Sequence, residues 1–151
     1  MKSYVLGFIF EAGTENILLI KKNRPSEQAG KYNGIGGKIE PGETPEQAIV
    51  REAEEETGLN ISEKEWLPVT KFGNEYFTIH IFTACIKDLS LAYSKTDEQV
   101  SIHNFNDILE SNNCVENTKE FLLLSRESLY EKVYNDVPKN KNKNKKNVNY
   151  K

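Results

Sequence analysis

The sequence predicts a single α+β domain. Its 151 residues match the size of one domain, which can bury a core without help from disulfides or metals. Short apolar segments rich in β-branched and aromatic residues, typical of strands, lie on both sides of a segment with clear helix start and stop signals. Helical spacing returns near the C-terminus. This mixed order of strands and helices is typical of an α+β fold.

The N-terminal part is predicted to form a hairpin followed by a loop region. Strands are expected at Ser3–Phe10 and Asn16–Lys22, because both segments are apolar and the connection EAGTE carries a turn-type glycine. The next stretch, from NRPSEQAGKYNG to IGGKIEPGE, contains prolines and glycines that are incompatible with a long helix or an uninterrupted central strand. A loop region with one short strand inside it is therefore expected.

A helix is predicted to begin after Thr44 and to end before Gly58. Thr44 supplies an N-cap hydroxyl, Pro45 occupies the first helical position, where its missing N–H costs nothing, and Gln47 completes a capping box. Gly58 is the residue type that accepts the left-handed backbone after a helix end. The helix is therefore expected to run to about Thr57.

The second half of the chain is predicted to contain three strands and two helices. A turn over residues 73–75 separates two strand-like segments, and helical spacing takes over after a third. The expected strands are Trp66–Phe72, Tyr76–Ile86, with Tyr76, Phe77 and Phe82 in the core, and Val100–His103; the expected helices are Asn106–Leu109 and Glu116 to about Tyr134, with Phe121, Leu124, Leu129 and Val133 as candidate buried positions.

Charge is distributed unevenly along the chain. The last thirteen residues, KNKNKNKKNVNYK, hold six of the 20 Lys and Arg, which leaves 14 basic against 23 acidic residues in the remainder, a net charge of −9. An acidic body is a poor surface for nucleic acid, since phosphate contacts need clustered Lys and Arg. The tail has too little apolar surface to fold, so residues 1–138 are predicted to form the domain and 139–151 a disordered tail.

Composition also argues against a membrane protein and a disulfide framework. No apolar run approaches the roughly 18 residues that a span needs, and the N-terminus has no signal cleavage site, so a cytoplasmic location is expected. Cys85 and Cys114 stand in no metal-ligand grouping and are expected to be free thiols. His80 and His103 lack visible catalytic partners and are assigned to packing or to the surface.

The predicted helix 45–57 carries a cluster of acids on one face. At about 100° per residue, Glu52, Glu55 and Glu56 fall within one arc of about 100°. Ala48 falls among these acids by angle, where its small side chain would leave room for an ion, whereas residues 49, 50 and 53 form an adjoining apolar face. A solvated acidic face is the simplest interpretation of such a patch. The repulsion between like charges at this spacing instead favours a hard divalent ion, Mg²⁺ or Mn²⁺.

A glycine-rich segment precedes this helix. Gly34-Ile35-Gly36-Gly37-Lys38 lets backbone approach an ion or a phosphate closely, because glycine has no Cβ. A lone glycine loop is weak evidence, but its fixed distance from the acidic helix strengthens it.

Together these residues resemble the Nudix hydrolase family. The family box reads Gly, five residues, Glu, seven residues, Arg-Glu, an aliphatic, any residue, Glu-Glu, any residue, Gly and an aliphatic. Ala53 is smaller than the usual aliphatic residue, and looser local packing is expected from it. The residues that fill the box are Gly37, Glu43, Arg51, Glu52, Ala53, Glu55, Glu56, Gly58 and Leu59.

The resemblance implies an α/β/α sandwich around a mixed β-sheet and Mg²⁺-dependent hydrolysis of a nucleoside diphosphate linked to another group. By position it implies that Glu52, Glu55 and Glu56 bind the metal, together with the carbonyl of Gly36. Glu43 would pair with Arg51 and hold the loop against the helix. Glu52 is the candidate base that orients water. A further metal-binding acid is expected from the loop 96–99, with Glu98 preferred to Asp97.

Residues outside the box are expected to bind the substrate. Lys38 or Arg24 would contact phosphate, and Gly37 lies beside them in the loop. Tyr32 and Asn33 are similar to an aromatic-Asn pair in the MutT-like branch, which removes oxidised purine nucleoside triphosphates. Asn33 would read the base, and the aromatic residue that stacks on it would be Phe8, Tyr32, Phe72 or Phe105.

The substrate and the oligomeric state stay open at this point. Oxidised purine nucleotides form one substrate group; ADP-ribose, dinucleoside polyphosphates and FAD form the other. A non-catalytic nucleotide-binding Nudix module is the alternative to an enzyme. A small-molecule nucleotide is the expected partner in either case, without membrane or nucleic acid, and both a monomer and a homodimer are compatible with the sequence.

Overall fold

The computed structural model describes residues 1–136. The predicted domain boundary at residue 138 and the predicted disordered tail 139–151 lie outside the described residues. The described chain contains seven strands, three α-helices and two short 3₁₀ turns, Glu63–Glu65 and Leu89–Leu91. The strands are β1 (Lys2–Glu11), β2 (Asn16–Lys21), β3 (Tyr32–Asn33), β4 (Ile35–Lys38), β5 (Leu67–Gly73), β6 (Phe77–Ile86) and β7 (Val100–Asn104), and the helices are α1 (Pro45–Thr57), α2 (Phe105–Glu110) and α3 (Thr118–Asp136).

The seven strands form one mixed sheet with β1 at its centre. Along one edge β1 pairs with β6 in parallel over the whole strand, and β6 pairs antiparallel with β5. Along the other edge β1 pairs antiparallel with β4 in its first half and with β2 near its end. Strand β2 in turn pairs antiparallel with β3 and β7. The predicted hairpin is therefore present, as a short pairing at Ile9–Leu18 and Phe10–Ile17.

Both faces of the sheet are covered, which makes the fold an α/β/α sandwich. Successive side chains of a strand point to opposite faces. On β1, Val5 and Ile9 join the hydrophobic cluster under α1, whereas Leu6 and Phe8 join the cluster that α2 and α3 cover. Because the central strand is buried on both faces, it shows a continuous apolar run in the sequence in place of an alternating one. The predicted α+β sandwich is confirmed.

Helix α1 has the predicted ends. The Thr44 hydroxyl accepts a hydrogen bond from the Gln47 backbone N–H at 3.0 Å, and the Gln47 side chain accepts one from the Thr44 N–H at 2.9 Å. Gly58 follows the helix with a left-handed φ of 75°. Ile49 and Ala53 are fully buried against the sheet, so the acidic side of the helix is held at the edge of a rigid core.

The predictions for four buried or exposed positions are wrong. Leu124 and Val133 are 44% and 64% exposed, because α3 buries a different side, which carries Phe121 and Leu122. Tyr76 is 71% exposed, since it precedes β6 at the turn and does not lie within the strand. Ala48 is fully buried in the core under α1 and leaves no space for an ion.

Both cysteines are free, as predicted. Within residues 1–136 no helix is long and apolar enough to cross a membrane.

Candidate active site

The acidic side of α1 lies against the glycine-rich strand β4. Strand β4 is held in place by its antiparallel pairing with β1, in which Gly37 is opposite Val5. A Cβ on Gly37 would overlap the Oε2 atom of Glu52 and stand 2.8 Å from its Cδ atom. Glycine at position 37 is therefore required for Glu52 to reach the strand, and the Glu52 residue is only 8% exposed.

Arg51 and Glu43 join the loop before α1 to the helix itself. The guanidinium donates from Nε and Nη2 to the two carboxylate oxygens of Glu43, at 2.7 and 2.9 Å, and Nη2 also donates to the Lys38 carbonyl at 3.1 Å. The hydrogen bonds from Arg51 lower the pKa of Glu43 to about 2. Two parallel hydrogen bonds between a guanidinium and a carboxylate fix the orientation of both groups as well as their distance.

Glu52 is held close to Arg51 and to another acid. Its Oε1 lies 3.4 Å from Arg51 Nη1, and the same Nη1 lies 3.2 Å from Glu55 Oε2. Burial raises the pKa of Glu52 to about 7, against the opposing effect of the Arg51 charge, and the neighbouring Glu55 raises it further. Glu55 itself is 52% exposed, so its carboxylate can change rotamer without disturbing the core.

Glu56 reaches β4 at Gly36, the residue before Gly37. Its Oε1 accepts a hydrogen bond from the Gly36 backbone N–H at 2.9 Å. Burial raises the pKa of Glu56 to about 8 even though this hydrogen bond opposes the shift, and the charges of Glu52 and Glu98 add to the effect. A buried carboxylate with acidic neighbours gains from any cation that binds beside it.

The loop before β7 carries Glu98, which the sequence analysis prefers to Asp97 as a further metal ligand, and that role stays a prediction. Glu98 is 6% exposed and accepts hydrogen bonds from Lys22 Nζ at 3.1 Å and from the Asn23 N–H at 2.6 Å. Burial alone would raise the pKa of Glu98, but these hydrogen bonds outweigh it and hold the pKa below its ordinary value. Asp97 instead forms an exposed pair with Arg24.

The carboxylate and backbone oxygens of this site are of the type that binds a hard divalent ion, although they are not arranged as a complete coordination shell. Within residues 1–136 no three acidic, histidine or cysteine side chains are close enough together to hold an ion as they stand. The acids instead interact in pairs. Glu52 interacts with Glu55, Glu56 interacts with Glu98, and Glu52 and Glu56 also influence each other. Carboxylate and backbone oxygens are the ligands that Mg²⁺ and Mn²⁺ prefer. Binding would require rotation of side chains, for which the exposed Glu55 is best placed.

A cavity of about 900 Å³ opens on the other side of the glycine-rich strand. Its walls come from the start of β1, the strands β3 and β4, the loop after β2 and the start of β6. Asn33, Gly36, Gly37 and Lys22 lie in its wall. Because Gly36 and Gly37 also contact Glu56 and Glu52, one strand separates the acids from a space large enough for a nucleotide.

Comparison with known proteins agrees with this arrangement. Residues 2–123 match the model of the NUDIX domain. The chain belongs to the Nudix family.

Curated relatives match only part of this chain. An oxidized purine nucleoside triphosphate hydrolase of Danio rerio is 45% identical over 60 residues, which are 37% of this chain and 38% of the relative. A CTP pyrophosphohydrolase of Escherichia coli is 43% identical over 51 residues, 34% of this chain and 38% of the relative. The chain therefore spans less than half the length of these curated relatives.

Solved structures show the same Nudix fold over most of the chain. A MutT structure, from work on Aliivibrio salmonicida and Vibrio cholerae, has a TM-score of 0.67 at 23% identity, and covers 83% of this chain and 98% of the other. The NUDIX domain of Shewanella oneidensis NrtR, solved with ADP ribose, has a TM-score of 0.72 at 17% identity and covers 84% and 87%.

The structure brings some of the predicted substrate residues of this Nudix domain to the cavity and not others. Asn33 and Gly37 lie in the wall. Tyr32 does not: it packs edge-on against His103 at 4.5 Å between ring centroids, beside a separate depression of about 420 Å³. Arg24 is exposed and paired with Asp97, and the Lys38 side chain is exposed outside the cavity wall. Side chains alternate along β3, so the residue next to Asn33 points away from it.

Two residues of this site were missed in the sequence. Lys22 directly follows β2 and lies in the cavity wall, and its ammonium group donates to Glu98. Thr118 begins α3 and donates its hydroxyl hydrogen to Asn33 Oδ1 at 3.1 Å. Lys22 is one of two adjacent lysines at a strand end, and Thr118 lies 85 positions from Asn33. Only the folded chain shows either contact.

Proposed function

We propose that this chain is a Mg²⁺-dependent Nudix pyrophosphohydrolase, able to use Mn²⁺, that cleaves the diphosphate linkage of a nucleoside diphosphate derivative. One observation carries the proposal. Two shielded carboxylates, Glu52 and Glu56, lie on one side of the Gly36–Gly37 strand, and a nucleotide-sized cavity lies on the other. A diphosphate bound in the cavity and a metal ion held by these carboxylates would therefore meet at the Gly36–Gly37 strand.

Each residue of the site has a part in this proposal. Glu52, Glu55, Glu56 and Glu98 would hold the ion, with the Gly36 carbonyl beside them. A bound divalent ion would neutralise diphosphate charge and make a water molecule more acidic. Arg51 holds the glycine-rich loop through Glu43, and Glu52 would orient the attacking water.

Glu52 is favoured as the water-orienting base by its environment. In the metal-free chain, burial and the neighbouring Glu55 carboxylate raise the pKa of Glu52 to about 7, and its Oε2 lies against the glycine-rich strand, where it would accept a proton from water. Lys22 would contact a phosphate group, since it lies in the cavity wall and its ammonium group is 3.1 Å from Glu98.

Nucleoside triphosphates with an oxidised purine are the first substrate class to test. The Danio rerio relative is named for this class, and Asn33 presents a side-chain amide in the cavity wall. The Escherichia coli relative is named for CTP, and ADP ribose is bound in the NrtR domain. These compounds belong in the same comparison.

The test is a screen for released phosphate, pyrophosphate and nucleoside monophosphate. Purified protein with Mg²⁺ or Mn²⁺ is given 8-oxo-dGTP, dGTP, CTP, ADP-ribose, diadenosine triphosphate or FAD. Glu52→Gln and Glu56→Gln serve as blanks, and Glu63→Gln, an exposed acid away from the site, is the matched control. Turnover that both site variants abolish and the control retains supports the hydrolase.

The same screen separates the enzyme from a binding module. If the wild type shows no turnover but binds a nucleotide tightly in a calorimetric titration, a non-catalytic Nudix module would be favoured. The presence of all three box acids together with Arg51 favours the hydrolase.

A further inference from the structure

Asn33 is the polar side chain of β3 that faces the cavity, and its amide has one defined orientation. Its Oδ1 accepts a hydrogen bond from the backbone N–H of Gly34 at 2.8 Å. A backbone N–H can only donate, so the atom beside it must be the amide oxygen and not the amide nitrogen. The orientation therefore follows from the backbone of the glycine-rich segment.

A second donor, the hydroxyl of Thr118, reaches the same oxygen at 3.1 Å. Because Oδ1 has no hydrogen to give, the hydroxyl must be the donor in this contact. Thr118 is only 1% exposed, so this hydroxyl does not exchange its partner with solvent. Both lone pairs of the Asn33 carbonyl oxygen are then used within the protein.

The backbone around Thr118 is fixed to β3 independently of this contact. The Tyr32 N–H donates to the Asn113 carbonyl at 2.7 Å, and the Val115 N–H donates to the Tyr32 carbonyl at 2.9 Å. The segment before α3 is therefore paired with the strand that carries Asn33. Thr118, at the first position of α3, is held next to the Asn33 side chain by these backbone hydrogen bonds.

Asn33 therefore presents a hydrogen-bond donor, its NH₂ group, to a ligand in the cavity. Its NH₂ group has no hydrogen-bond partner in the described part of the chain, whereas its oxygen has two. A carbonyl oxygen of a base would pair with this NH₂ group. An exocyclic amine would meet it donor to donor, which leaves buried groups unpaired and costs affinity.

We propose that Thr118 is a positioning residue that holds Asn33 as a donor-only group, so that the cavity selects bases with a carbonyl oxygen over the matching bases with an exocyclic amine. The inference rests on the proposed nucleotide site and adds its base preference. It concerns binding, so it is tested without turnover.

The experiment uses two matched pairs of nucleoside monophosphates that differ in this group. Inosine and adenosine monophosphate carry a carbonyl and an amine at the same purine position, and uridine and cytidine monophosphate do so on a pyrimidine. Calorimetric titration of the full chain with each compound gives the affinity ratio within each pair. The wild type is expected to prefer the carbonyl member of at least one pair by roughly tenfold.

Three variants test the role of Thr118. Thr118→Val keeps the shape but removes the hydroxyl, which frees one lone pair of Asn33 and should reduce the ratio to about twofold. Thr118→Ser keeps the hydroxyl and should restore it. Asn33→Asp leaves only acceptors, and should invert the preference toward the amine member even if Thr118→Val folds poorly.

A matched control separates this role from a general loss of a buried hydroxyl. Thr83 is fully buried and donates to the Phe8 carbonyl at 2.8 Å, away from Asn33, so Thr83→Val should lower stability and leave the ratio unchanged. Equal ratios in the wild type, or an unchanged ratio in a folded Thr118→Val variant, would overturn the inference, and so would an unchanged ratio in Asn33→Asp. A normal ratio without any turnover in the hydrolysis screen would instead overturn the proposed function alone.

Discussion

Arg51 and Glu43 share two hydrogen bonds, of 2.7 and 2.9 Å, that tie the end of the loop before α1 to the middle of the helix. The same guanidinium reaches the Lys38 carbonyl at the end of β4. One side chain therefore sets the position of the glycine-rich strand relative to the acids of α1.

Replacement of Glu43 should destabilise the fold in a pH-dependent way. Glu43→Gln removes the charge that Arg51 binds, and should lower the free energy of unfolding at pH 7 by about 2 kcal/mol. The pKa of Glu43 is about 2 in the folded chain against an ordinary value of 4.5. Its contribution is thus present above pH 4.5 and lost as the pH falls toward 2. Urea unfolding from pH 7 to pH 3 should show the difference between variant and wild type shrinking, and Glu63→Gln should show no such difference.

Glu56 should give the metal-free protein the opposite dependence on pH. Its pKa is raised to about 8, so the folded state binds more protons than the unfolded state between pH 4.5 and 8. The free energy of unfolding should therefore fall as the pH rises through this window, on the order of 2 kcal/mol. Thermal unfolding with a chelator should show this slope in the wild type and a weaker slope in Glu56→Gln.

Bound Mg²⁺ should offset the fall in the free energy of unfolding that Glu56 causes at high pH. At pH 8, added Mg²⁺ is expected to raise the unfolding temperature of the wild type and to have much less effect on Glu56→Gln. Glu46→Gln, the same change in the first turn of α1, should respond to Mg²⁺ like the wild type. A similar Mg²⁺ response in Glu56→Gln would contradict the proposed ligand.

Gly37→Ala should impair activity more than stability. The added Cβ would overlap Glu52 Oε2, the mobile end of a side chain, so the carboxylate can move away at little cost to the fold. A displaced Glu52 should lower kcat/KM by about 100-fold. Gly36→Ala is the informative contrast, because its Cβ would overlap the backbone carbonyl of Val5 and should destabilise the sheet itself. Kinetics and thermal unfolding of both variants test the distinction.

Lys22→Met should weaken the binding of a nucleotide with a charged phosphate chain. Lys22 lies in the cavity wall, and the loss of one charged contact should raise KM by about tenfold with a smaller change in kcat. Lys21→Met is the matched control, because its side chain is exposed on the neighbouring position of β2. Equal effects of the two substitutions would show that Lys22 acts only through net charge.

The sequence by itself determined the elements that depend on local signals. The ends of α1 could be predicted because Thr44, Gln47 and Gly58 act within a few residues, through a capping box and a left-handed glycine. The spacing of the acids on α1 also predicted that Glu52, Glu55 and Glu56 share one side of the helix, since a helix has a fixed number of residues per turn.

Only the tertiary structure decided which residues share the cavity. The parallel pairing of β1 with β6 joins segments about 75 positions apart, and no local pattern specifies that partner. The buried side of α3 depends on the sheet that it covers, so Leu124 and Val133 are exposed despite their helical spacing. Asn33 meets Thr118, and Lys22 meets Glu98, for the same reason: these contacts are long-range, and long-range contacts are set by the packing of whole elements.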